Sequence, residues 1–230
     1  MKSIPEMLEE KQIKWLYHFT KTVNLSGIFE HGLLPVDTLE RKDIFFAPND
    51  SWRHDLCRDA VCLSIEFPNY KTFYKHQMEH KDESWVDWAV LQLDASILVD
   101  DFDVDLGFCW KCAFYETNAA NGKFREANAD PVERMSVHHG VEAFEKLFAE
   151  INDKPTRNEL GIPDCYPTDP QAEVLFFGEI PIKYITKVIF AKEEVLKQSS
   201  SLGIPKEIEI CVDGSLFAPR RDWGHWTKES

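Results

Sequence analysis

Long hydrophobic runs and a surplus of positive charge are both missing from this chain. No apolar stretch approaches the roughly 20 residues a helix needs to cross a bilayer. The opening MKSIPEMLEEKQ carries acidic residues where a secretion signal would need an apolar run. A soluble, cytoplasmic protein with no membrane partner is therefore expected. Lys and Arg number 26 against 40 Asp and Glu, a formal net charge of -14. Such a balance repels nucleic acid at long range and excludes any binding mode that depends on a generally basic surface. Contacts to a nucleic acid would have to be local. A phosphate-cradling glycine loop, a GxSxG elbow and a zinc-protease helix motif are also absent, which disfavours familiar kinase and hydrolase chemistry.

Six cysteines (Cys57, Cys62, Cys109, Cys112, Cys165, Cys211) are scattered through a chain too long to need stapling, so reduced thiols are the default. Cys109 and Cys112 form a CxxC, a spacing that suits zinc or a redox pair. No second CxxC accompanies it, and nothing in the sequence brings His76 and His80 to it. Two ordinary core cysteines are the simpler account, and no metal is expected.

What is present is enough for one core: 230 residues, 43% hydrophobic and 13% aromatic. A single domain over residues 1–230 follows. Strands are expected at Ile13 to Thr20, Ala60 to Phe67, Trp85 to Asp94, Ala172 to Phe177, Lys187 to Ala191 and Glu207 to Val212. Val23, Leu25, Ile28 and Phe29 fall near one helical face, with Gly32 as a left-handed stop. Asn69 to Gln77 reads as a short helix after Pro68. From Ala119 to Pro170 the apolar pattern thins, except for a helix near Val141 to Ile151, into a long and polar excursion of the kind that carries function. Many strands with few crossover helices favour an α+β domain with largely antiparallel pairing.

Several residues carry chemistry, each beside a plainer reading. Glu173 opens an apolar strand after the Pro167 to Pro170 loop, where a carboxylate could bind ribose hydroxyls and stabilise an oxocarbenium-like state. The plain alternative is a strand end capped in water. His18, among Tyr17, Phe19 and Thr20, could hold a ribose or phosphate, or simply be a satisfied core histidine. Arg53 could clamp a diphosphate, or pair with Asp55. Trp52 beside it offers a stacking surface for a substrate or packs in the core. Phe67 to Lys75 interleaves aromatics with lysines, the chemistry of single-strand binding or of an amphipathic helix. Pro219 to Trp226 carries arginines and tryptophans, a second candidate of the same kind or a docked terminal segment.

Taken together, YHFTKTVNLSGIFEHGLL at Tyr17 to Leu34, the Trp52-Arg53 loop and PTDPQAEVLFF at Pro167 to Phe177 resemble the DarT family of DNA ADP-ribosyltransferase toxins. The resemblance implies an ADP-ribosyltransferase fold with a split antiparallel core, peripheral helices and NAD, as co-substrate, in a cleft. It implies that His18, Thr20 and Asn24 line the NAD site, that Arg53 and Glu173 are catalytic, and that Gln171 and Trp52 lie near the acceptor. It further implies that residues 119–170 cover the site, that the acceptor is a base in single-stranded DNA, and that a macrodomain antitoxin removes the ADP-ribose. Where other members have an aromatic-rich strand, this chain has Ala60 to Glu66, which puts Ser64 at an aromatic position and leaves Tyr70 or Tyr74 to stack on the cofactor. Two alternatives stay open: an RNA or protein acceptor on the same fold, and a non-catalytic acidic binding module.

Overall fold

The computed structural model describes residues 2–49, 55–83, 85–100, 102–103, 108–109, 111–122, 124 and 137–226. The chain enters through helix α1 (Ile4–Lys11), which the sequence reading left unassigned although its start is written locally. Ser3 and Glu6 form a reciprocal capping box, a proline sits in the first turn, and Gln12 closes the end at φ 58. Ile4, Met7 and Leu8 point inward.

Strand β1 (Trp15–Lys21) pairs along its whole length with β3 (Trp88–Asp94), which pairs with β8 (Ile185–Phe190), and β9 (Glu209–Val212) adds a parallel edge. On the other side of β1 come β2 (Ala60–Ile65), β7 (Glu173–Phe177) and β6 (Cys112–Tyr115). The sheet order is thus β6-β7-β2-β1-β3-β8-β9, antiparallel at every junction but the last. A separate two-stranded ladder joins β4 (Phe102–Asp103) to β5 (Phe108–Cys109).

The two halves of the sheet meet only at Leu16↔Ile65 and Tyr17↔Ser64. Beyond that pair β1 and β2 diverge. At the joined end Glu66, in the left-handed region at φ 58, turns its carboxylate back to accept the Lys14 and Trp15 amides. This divergence is the split in the core that the resemblance implied, and it opens the sheet face that carries the functional residues.

Period-two alternation distributes the side chains. Leu16, Ala89, Leu91, Leu93 and Val188 enter a large core with α1, helix α2 (Leu25–His31) and helix α6 (Gly140–Lys146). Tyr17, Val90 and Ile189 meet Phe73 on the opposite face, from helix α4 (Tyr70–Glu79). Both faces of β3 are therefore buried, and each fully buried leucine there contributes about 1.5–3 kcal/mol. Helices α3 (Val36–Arg41), α5 (Ile97–Asp100) and α7 (Glu193–Gln198) lie at the periphery.

Gly32 ends α2 at φ +85, and a Cβ there would lie 2.6 Å from the Ile180 carbonyl oxygen. That carbonyl accepts from the Leu33 amide, so glycine is what lets the α2 terminus bridge to the segment after β7. The helix expected near Val141 to Ile151 ends at Lys146, because Leu147 and Phe148 turn into the core. Among the described residues no helix is long and apolar enough to cross a membrane.

Candidate active site

A cavity of about 750 Å³ lies in the divergence between β1 and β2. Its size is in the range of pockets that enclose small ligands. His18 and Thr20 of β1 form one side, Ala60, Val61, Cys62 and Ser64 of β2 the floor, and Glu173 of β7 the far end.

Glu173 does not cap its strand in water. It is 7% exposed, and donors from Asn69, Asn118 and Ala119, among the described residues, hold its carboxylate. Asn69 Nδ2 and Asn118 Nδ2 donate to Oε1 at 2.9 and 3.1 Å, and the Ala119 amide donates to Oε2 at 2.9 Å. Burying a carboxylate is costly unless it is bonded in this way, and the donor set fixes its plane at the cavity wall. Asn69 is itself fixed. Its amide N–H donates to Ser64 Oγ at 3.0 Å, while its Oδ1 caps α4 through the Thr72 amide at 3.3 Å. Asn118 Nδ2 also reaches Thr72 Oγ1 at 3.0 Å. Ser64 thus stands where an aromatic was expected and positions the residue that positions Glu173.

At the opposite wall His18 Nδ1 lies 2.9 Å from the Cys62 carbonyl. A carbonyl only accepts, so Nδ1 carries a proton there, which sets the ring's orientation across the gap between β1 and β2. Thr20 is buried, and its Oγ1 accepts from Asn24 Nδ2 at 3.0 Å. Asn24 lines the cavity, but its amide is spent on the protein: it donates to the Ala47 carbonyl at 2.9 Å and accepts from the Ala47 amide at 2.7 Å. Lys21 Nζ reaches the Pro48 carbonyl and Asn49 Nδ2 the Phe19 carbonyl. These three side chains pin residues 45–49 along the cavity, where Phe45 stands exposed. Burial lowers the Lys21 pKa from its ordinary value.

Tyr74 lines the cavity and is exposed, as a stacking partner must be. Tyr70 lies outside the cavity wall, because its ring packs between Tyr74 (5.6 Å) and Trp223 (6.1 Å). Gln171 lines the cavity from the turn before β7, where its amide is tied to Asp169 Oδ1 at 2.7 Å. Asp55 is buried and caps the Cys57 amide at 3.0 Å. Arg53 and Trp52 lie outside the described residues.

Asn69, Asn118 and the 45–49 wall were not singled out from the sequence. Asn69 had a signal, since an Asn directly after Pro68 and before a helical run reads as a cap; Asn118 had none. Among the described residues no group of three or more His, Cys, Asp or Glu could hold a metal ion. His76 and His80 instead face Glu79 and Glu83, with Nδ1 at 3.1 and 2.7 Å from the carboxylates. Cys112 is buried in β6.

Comparison with known proteins gives the family and the fold. Residues 17–213 match the family model described as DarT, ssDNA thymidine ADP-ribosyltransferase. No curated protein sequence matches the chain. Among solved structures, the fold is similar to Thermosipho africanus DarTG in complex with ADP-ribose, at a TM-score of 0.57 and 15% identity over 89% of this chain. The chain spans about half of that protein's length, 51%. It is also similar to Thermus sp. 2.9 DarT in complex with carba-NAD+, at a TM-score of 0.53 and 14% identity, over 89% of this chain and 97% of that one. At these identities the likeness is one of fold.

Proposed function

Because the chain belongs to the DarT family of ssDNA thymidine ADP-ribosyltransferases, we propose that it transfers ADP-ribose from NAD to a thymidine base in single-stranded DNA, acting in the cytoplasm as a toxin. The observation that carries the reading is Glu173, a buried carboxylate held by Asn69, Asn118 and the Ala119 amide in the wall of a cavity that His18 also lines.

NAD occupies the cavity between β1 and β2 as co-substrate, with His18 and Thr20 toward its ribose and phosphates, Ser64 beneath it and Tyr74 at its rim. Asn24 acts indirectly, by fixing the 45–49 wall. Glu173 accepts from the hydroxyls of the nicotinamide ribose and stabilises the cationic sugar as the bond to nicotinamide lengthens. The base attacks the ribose carbon, nicotinamide leaves with the bonding electrons, and the base gives up one proton. Arg53 clamps the diphosphate or supports the leaving nicotinamide, which departs neutral. Little covalent work falls to the protein, which supplies positioning and preorganised charge.

A base must be exposed to be attacked, which suits a single strand over a stacked duplex. Gln171, which lines the cavity, serves the acceptor side together with Trp52, and the stretch 119–170 is assigned to covering the site and selecting the substrate. A macrodomain that hydrolyses the ADP-ribosyl bond is the antitoxin.

The test is incubation of the purified chain with NAD and thymidine-containing single-stranded oligonucleotides, beside duplex DNA, RNA and protein, followed by mass spectrometry. An ADP-ribose mass increment on the single strand is expected. Glu173→Gln should lower the rate on the order of a hundredfold or more with NAD still bound. Adducts only on RNA or protein would move the acceptor, and no adduct on any would sink the reading.

A further inference from the structure

A second cavity, of about 540 Å³, opens beside the first, and the two share Lys71, Asn121 and Gln171 in their walls. Trp223, Trp226 and Lys154 line it as well. Both tryptophans lie beyond residues 17–213, the stretch matched by the family model.

They are held in place. Arg220, 6% exposed, donates to the Pro167 and Thr168 carbonyls at 2.7 and 2.8 Å and forks onto Asp222 at 2.6 Å through both Nε and Nη2. Asp222 in turn accepts from Trp226 Nε1 at 2.8 Å, and Trp223 packs edge-on against Tyr70 at 6.1 Å. The segment is thereby stitched to the loop that leads into Glu173. Of the carboxylates that face this groove, Glu150 accepts from the Arg157 amide and Asp169 from the Gln171 amide, and Glu116 is the third.

We propose that this groove holds the single-stranded DNA that flanks the target thymidine, with Trp223 and Trp226 stacking a neighbouring base and Lys154 meeting a phosphate. The proposal rests on the transferase reading, because the strand must leave the first cavity past Gln171, and the second cavity begins there. Indole faces beside lysine are the means by which single strands are held without sequence readout. In a chain of net charge -14, such a local contact is the only kind that can hold a polyanion.

The experiment measures the affinity of the full chain, by fluorescence anisotropy, for a single-stranded oligonucleotide with the thymidine central and for versions cut back on the 5′ or the 3′ side. Trp223→Ala and Trp226→Ala should each weaken binding of the flanked strand by about tenfold, and Trp223→Phe should restore most of it. Cutting back one flank should abolish the difference between the variants and the parent. Lys154→Ala should weaken binding about threefold and flatten its salt dependence by one phosphate contact. An unchanged NAD dissociation constant shows that each variant is folded.

Equal affinity of parent and variants for the flanked strand overturns the proposal, as does an equal loss on flanked and cut-back strands. So does a tryptophan dependence seen only with RNA. Adduct formation is read by mass spectrometry on the same oligonucleotides. If the parent forms no adduct, the transferase reading falls and the groove's assignment with it; if adducts form and binding is indifferent to both tryptophans, only the groove is lost.

Discussion

Asn69 and Glu173, 104 positions apart in sequence, meet at 2.9 Å, and the same asparagine caps α4 and is bound by Ser64 of β2. One side chain thus ties a helix terminus, a strand and the carboxylate at the cavity's end. Asn69→Asp keeps the cap acceptor but sets a second negative oxygen against Glu173. The expected outcome is a fall in kcat of about tenfold to a hundredfold with KM for NAD changed less, since the lost interaction serves the transition state. Steady-state kinetics on an oligonucleotide substrate checks this; equal changes in both constants would mean that Asn69 only shapes the NAD site.

His18 makes a different demand. With its Nδ1–H on the Cys62 carbonyl, the ring lines the cavity proposed to hold NAD. His18→Phe keeps the ring and removes both nitrogens, so KM for NAD should rise about tenfold, the worth of a hydrogen bond to a polar ligand, with a smaller change in kcat. Titration calorimetry with NAD gives the same comparison without turnover.

His138 supplies a pH-dependent stability. Its ring stacks on Tyr115 at 4.0 Å, and burial is the main reason that its pKa is pushed down from 6.5 to about 4. A depressed folded-state pKa means that the unfolded chain takes up the proton first. The contribution is therefore complete above about pH 6.5 and is lost as pH falls toward 4. Allowing for the ring's partial exposure to solvent, about 1 kcal/mol should disappear between pH 7 and pH 5. His138→Phe retains the stack and cannot titrate, so urea unfolding should show a smaller loss over that interval in the variant than in the parent.

Gly32 is the position where a single methyl group should do most harm to the backbone. Its φ of +85 and the 2.6 Å approach of a Cβ to the Ile180 carbonyl oxygen both oppose a side chain. Gly32→Ala should cost about 2–4 kcal/mol, read as a lowered urea midpoint at unchanged slope. A cost below 0.5 kcal/mol would mean that the segment after β7 yields freely.

The strands were legible because both faces of β1 and β3 are packed, which forces apolar residues into short dense runs such as WAVLQLD. β6 went unassigned because Cys112 to Tyr115 is only four residues long and sits between segments of weak pattern. Helix α3 was missed for a similar reason: a six-residue helix that buries little beyond Thr38 leaves almost no periodicity. Glu173 was legible as a candidate only through the company it keeps in the chain. What makes it a site, the convergence of Asn69, Asn118 and the Ala119 amide, depends on contacts across 54 to 104 positions that no local pattern encodes. The exclusion of Tyr70 likewise depends on Trp223, 153 positions away, as 223 less 70.

The placement of β7 between β6 and β2 bears on the order in which the proposed site is assembled during synthesis. His18, Ser64, Asn69 and Asn118 leave the ribosome before the strand that carries Glu173, and the half-sheet around that strand cannot close without it. At about 5–20 residues per second, on the order of ten seconds or more separate the synthesis of His18 from that of Glu173. Through that interval the proposed site lacks its carboxylate, and it is completed only when β7 pairs with β2 and β6.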